Sequence, residues 1–102
     1  MSEAVKVATT AQIKPGDALR VKVGSEHVAL FNVDGDIYAT DDTCSHAQAS
    51  LSDGWLEDGE VTCPLHGALF DVATGRALTL PATKPVRTYE VRLEGGDIYL
   101  EI

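Results

Sequence analysis

The sequence predicts an all-β domain, and three observations carry that expectation. Near the C-terminus, apolar and polar residues alternate with period two on both sides of Gly95-Gly96. Two Asp-Gly pairs, Asp34-Gly35 and Asp58-Gly59, stand between apolar segments. No window of helical length shows an i, i+3, i+4 apolar stripe.

Each element follows from local pattern. Ala18–Val23 reads as a first strand, after a possible single turn at Thr9–Ile13. Val28-Ala29-Leu30-Phe31-Asn32-Val33, then Asp34-Gly35, then Ile37-Tyr38-Ala39 reads as a hairpin. Both central residues of a type I′ turn need positive φ, which Asp and Gly tolerate. Short strands are expected around Glu60–Thr62 and around Leu69–Val72, the latter ending before Thr74-Gly75. Tyr89, Val91 and Leu93, then Ile98, Leu100 and Ile102, form the apolar face of a last hairpin turned by Gly95-Gly96. Thr40–Ser52, rich in small polar residues, is expected to be loop.

A chain of 102 residues and 10.9 kDa makes one domain. Its 44% hydrophobic and 24% charged residues are ordinary for a globular protein. No apolar run reaches the ~20 residues of a membrane span, and Met1–Val7 lacks the pattern of a signal peptide, so a soluble, untargeted protein is expected. The net charge of −8 argues against a nucleic-acid partner. Residues 23–75 hold ten carboxylates and no Lys or Arg, while the flanks sum to +2. That stretch is either a solvated acidic surface or a face with an electrostatic use.

The stretch also contains both cysteines, each with a histidine close behind it. Cys44-Ser45-His46 and Cys63-Pro64-Leu65-His66 are separated by sixteen residues. A disulfide would leave the histidines unexplained. A structural zinc site has the right atoms, but zinc modules usually pair like ligands at each end. Two mixed segments, each offering one thiolate and one imidazole, suit a [2Fe–2S] centre in which two Cys hold one iron and two His the other. Pro64 would stiffen the second segment, and Gly67 would let the backbone turn away or a sulfide approach.

Cys44-x-His46-x16-Cys63-x2-His66, followed by Gly67, resembles the binding signature of the Rieske family. More narrowly, the chain resembles the small ferredoxin component of bacterial ring-hydroxylating dioxygenases of the naphthalene and biphenyl type. The resemblance extends over Asp36-Ile37-Tyr38-Ala39-Thr40, Leu51-Ser52-Asp53-Gly54, Phe70-Asp71 and Thr74-Gly75. Leu80-Pro81-Ala82 corresponds to the family's proline loop over the cluster. It implies the Rieske fold: an antiparallel, sandwich-like base from residues 1–40 and 83–102, with a cluster-binding subdomain inserted at about 41–82, all one domain over 1–102. It also implies one Rieske-type [2Fe–2S] cluster held by Cys44, His46, Cys63 and His66.

Electron counting shows what that ligand set does. Two Fe³⁺, two sulfides and two thiolates sum to zero, against −2 with four thiolates, so reduction is easier than in an all-cysteine ferredoxin. High-potential members of the family add a cysteine to each segment, and a serine and a tyrosine two and four residues past the second histidine. Here the chain has no further cysteine, and those positions are Ala68 and Phe70, which donate no side-chain hydrogen bond. A low-potential carrier is expected.

The implied role is one-electron transfer in the cytoplasm, from an NAD(P)H-dependent flavoprotein reductase to a terminal oxygenase. The alternative is the small Rieske subunit of another redox complex such as nitrite reductase. Oxygenase activity itself is excluded by composition: with His46 and His66 used, only His27 is left, too few for a two-histidine, one-carboxylate iron site. No glycine-rich phosphate loop suggests direct binding of NADH or flavin. His27 is expected to be an ordinary strand residue, and Trp55 to pack in the core or subdomain, with a contact to a docked partner as the alternative. Asp41, Asp42 and Asp53 are expected to steer redox partners towards the cluster end.

Overall fold

A computed structural model describes residues 4–43, 49–64, 67–79 and 84–101. In chain order they form strands β1 (Ala4–Thr9), β2 (Ala18–Val23), β3 (Glu26–Val33), β4 (Asp36–Asp41), β5 (Trp55–Glu57), β6 (Glu60–Thr62), β7 (Leu69–Asp71), β8 (Thr88–Glu94) and β9 (Asp97–Glu101). Two single 3-10 turns, Thr10–Gln12 and Leu51–Asp53, are the helical pieces among the described residues. None is long or apolar enough to cross a membrane.

The strands divide into two antiparallel sheets. One has six strands in the order β1-β9-β8-β4-β3-β2, with β1 and β2 in contact so that the sheet nearly closes on itself. The other has three strands in the order β5-β6-β7, lying in sequence between β4 and β8. The expected turns carry the chain as their chemistry requires. Asp34 and Gly35 take φ of 52° and 99°, which joins β3 to β4 with Val33 opposite Asp36.

Strand β3 explains how the sheets are joined. Its residues Val28–Asn32 are all buried, which is why the sequence there is a continuous apolar run rather than an alternation. Val28 and Leu30 point into a core with Ala8, Ile13, Ile37, Ala39, Tyr89, Ile98 and Leu100. Ala29 and Phe31 point the other way, into a core with Leu51, Val61, Cys63, Ala68, Phe70, Val72 and Val86. The one polar member of the run, Asn32, is satisfied. Its Nδ2 donates to the Ile13 carbonyl at 3.0 Å, and its Oδ1 accepts from the Gly35 N–H at 2.8 Å.

Three expectations need correction. Strands β1 and β5 carried no clear period-two signal: β1 is mostly half-buried, with only Ala8 in the core and only Lys6 exposed, and β5 is three residues long. The segment Thr40–Ser52 is not all loop, because β4 runs through Asp41 and a 3-10 turn begins at Leu51. Leu93 leaves the buried face of its hairpin and is 48% exposed. Strand β8 pairs with β4 at Thr88 and Tyr89 and still packs Val91 against the core, so it is the turn end at Leu93 that leaves it, while Ile98 opposite Leu93 is covered by β1.

Candidate metal centre

Of the four expected ligands, Cys63 is described; Cys44, His46 and His66 lie outside the described residues, as does Leu80-Pro81-Ala82. The structure therefore shows how both ligand-bearing segments are anchored at their ends.

The second segment leaves β6 at Cys63 and re-enters at Ala68. The Gly67 N–H donates to the Cys63 carbonyl at 3.0 Å, and the Cys63 N–H donates to the Ala68 carbonyl at 2.8 Å. These bonds pinch the segment shut at its base. Gly67 has φ of 74° and open space where a Cβ would stand, so the backbone can both reverse there and be approached closely.

The first segment is pinned by an aspartate. Thr43 and Ser50 face each other in an isolated antiparallel bridge, and the Leu51 N–H donates to the Asp42 carbonyl at 2.7 Å. The Asp42 carboxylate is buried. Its Oδ1 accepts from the Ser52 N–H at 3.0 Å, and its Oδ2 accepts from the Ser50 hydroxyl in a very short bond. A buried carboxylate is costly unless its lone pairs are filled, and here both oxygens have donors. Asp42 is therefore a structural pin, and its expected role in steering partners is corrected. The signal for it was weak: an acidic residue two before Cys44, inside a polar stretch read as loop.

The two anchors meet in one core. Leu51, at the exit of the first segment, is buried in the same cluster as Cys63, Ala68 and Phe70, and Ala49 packs against it. The Cys63 side chain is fully buried. It belongs to one apolar cluster with Ala29, Phe31, Val61 and Val72, none of which has a side-chain donor. This surrounding fits an iron–sulfur group: a soft thiolate on a pinched loop, backed by an apolar wall that excludes water.

Other expectations resolve at the surface. His27 lies on β3 and is exposed, and Asp53 is exposed beside the 3-10 turn. Asp41 is half-buried and accepts from the Tyr89 hydroxyl at 2.5 Å. Trp55 does not pack inside: it is 65% exposed. On β5, Leu56 faces the core and its neighbours face outward, so one step of the strand's alternation decides which side the indole takes.

The sequence matches the Rieske [2Fe-2S] domain family over residues 3–90. It is 53% identical over 93 residues to the 3-phenylpropionate/cinnamic acid dioxygenase ferredoxin subunit of Escherichia coli (strain K12), covering 90% of this chain and 87% of that protein. The fold is similar to that of Sphingomonas yanoikuyae B1 ferredoxin, with a TM-score of 0.93 at 34% identity, covering 98% of this chain and 99% of the other. A solved complex of reduced oxygenase and oxidized ferredoxin in carbazole 1,9a-dioxygenase contains a chain 39% identical to this one, with a TM-score of 0.90 and coverage of 95% and 91%.

Proposed function

The chain belongs to the Rieske [2Fe-2S] domain family, and from that premise we propose that it is the electron-carrying ferredoxin of an aromatic-ring dioxygenase system. It takes single electrons from an NAD(P)H-dependent flavoprotein reductase and delivers them to a terminal oxygenase, in the cytoplasm where the nicotinamide pool lies. It carries one Rieske-type [2Fe–2S] cluster and is itself no catalyst.

Cys44 and Cys63 are the thiolate ligands of one iron in this reading, and His46 and His66 the imidazole ligands of the other. When bound, the cluster supplies a site that gains and loses one electron. The chain's own residues do the rest. The bonded pairs at Asp42–Ser50 and Cys63–Ala68 fix where the two ligand segments leave and rejoin the fold. Ala68 and Phe70 fill the space beside Cys63 without offering a donor. We read the chain as one domain, with the base at 1–40 and 83–102 and the cluster-binding part at about 41–82; the separate β5-β6-β7 sheet supports this division.

The observation that carries the reading is the setting of Cys63, a buried thiol where the two anchored segments meet. It is tested by EPR of the anaerobically purified, dithionite-reduced protein, followed by electron transfer from reductase to oxygenase. A rhombic signal with an average g below the free-electron value, and turnover only when this protein is present, are the expected results. A silent, zinc-containing protein would overturn it.

A further inference from the structure

The small sheet is built from three cross-strand rows. Its inner side, Leu56, Val61 and Phe70, packs on the core below. By alternation, the outer side carries Trp55, Thr62 and Leu69 in one row and Glu57, Glu60 and Asp71 in another. Glu57, Asp58, Glu60, Thr62 and Leu69 line a single concavity there, which agrees with that assignment.

The acidic row is unfavourable within the chain. Residues directly opposite in antiparallel strands have Cβ atoms about 5 Å apart, and like charges in that position repel. Glu60 has a carboxylate opposite it on each side. Asp71 Oδ1 accepts from the N–H groups of Ala73 and Thr74 at 2.9 and 3.3 Å, which occupies one of its oxygens. Among the described residues no ion pair involves Glu57, Asp58 or Glu60. No Lys or Arg occurs between residues 23 and 75 to supply one.

Beside that row stands the second, independent feature. Trp55 is the most exposed of the large apolar side chains, at 65%. Its partner in register, Thr62, directly precedes Cys63 in the chain. An indole next to carboxylates suits an arginine or lysine, which can sit over the ring and pair with the acids together.

We propose that this face is a docking surface for the terminal oxygenase, meeting a basic patch that bears at least one arginine or lysine. Trp55 is the anchor, Glu57 and Glu60 supply the complementary charge, and the Thr62 end leads directly to the cluster segment. The assignment rests on the carrier function proposed above, and charge complementarity selects the occupant.

The test is single-turnover oxidation of the pre-reduced holoprotein at increasing concentrations of its oxygenase. Trp55→Ala should raise the half-saturating concentration about tenfold, which is ~1.4 kcal/mol of binding. Glu57→Gln with Glu60→Gln should raise it severalfold. Glu94→Gln, which removes one charge at the β8–β9 turn of the six-stranded sheet, should leave it unchanged. EPR signal, potential and reduction by the reductase should match wild type in all of them. Wild-type saturation by Trp55→Ala and by the double variant would overturn the proposal, as would an equal loss in Glu94→Gln or an equal loss towards the reductase. A wild-type protein that is reduced but passes nothing to the oxygenase would refute the carrier function itself, a different outcome from unmoved variants.

Discussion

The Tyr89 hydroxyl donates to the Asp41 carboxylate at 2.5 Å, tying β8 to the last residue of β4 just before the first ligand segment begins. Burial pushes the Tyr89 phenol up from 10.0 to about 12, and the hydrogen bond and charge of Asp41 add to the shift. The guanidinium of Arg87 lies 4.7 Å from the ring centroid and acts in the opposite direction. A raised pKa means that the phenol is more stable protonated in the folded state. Its contribution is therefore complete below pH 10 and is lost as pH rises through about 12. Denaturation between these limits should show wild type losing stability and Tyr89→Phe losing less. At neutral pH, Tyr89→Phe should cost ~1–2 kcal/mol by leaving Asp41 without its donor.

Replacing an expected imidazole ligand by a thiolate adds negative charge to the site. His46→Cys or His66→Cys should lower the reduction potential and change the visible and EPR spectra. Either variant keeping the wild-type potential and signal would show that its histidine is not a ligand.

The lack of side-chain donors at Ala68 and Phe70 should keep the potential low. With Ala68 and Phe70 offering no donor, voltammetry should give a value near the low end of the Rieske range, roughly −150 mV. Ala68→Ser and Phe70→Tyr should move it upward, since donors to sulfur stabilise the more negative reduced state. Both residues are fully buried, so thermal stability must be followed alongside the potential.

Asp42 holds the first segment through Ser50 and Ser52, so its loss should be structural. Asp42→Ala should cost ~1–3 kcal/mol by leaving the half-buried Ser52 N–H without its acceptor and the Ser50 hydroxyl with Ser52 alone, and should speed cluster loss on dilution. An iron-release assay compared with Asp53→Ala, an exposed neighbour, separates this from loss of surface charge.

Long-range attraction is checked by stopped-flow reduction with the cognate reductase at varied salt. The bimolecular rate should fall as the Debye length shortens from about 30 Å at 0.01 M to about 8 Å at 0.15 M. A flat profile would mean that the exposed carboxylates of residues 23–75 do not steer the reductase.

The elements that the sequence made legible are those where one local rule acts alone. Gly95-Gly96 and Asp34-Gly35 announced their hairpins because positive φ narrows the choice of residue. The family was legible because two mixed Cys/His pairs have few other uses. Trp55, Leu93 and Asp42 were misjudged for a common reason. Whether an indole points in or out, whether a strand end stays over the core, and whether a carboxylate is capped all depend on residues distant in sequence. Val61 and Phe70 take the inner side of β5's sheet, β8 diverges from β4 after two pairs, and Ser50 and Ser52 return to Asp42.

Because β3 is lined by apolar contacts on both sides, neither half of the molecule can open without exposing a surface that the other half needs. Melting and loss of colour should therefore coincide in one cooperative transition, with the β3 amides among the slowest to exchange with deuterium. Such coupling makes the small sheet as durable as the scaffold beside it, and a cavity cut at Phe31 would be felt by both.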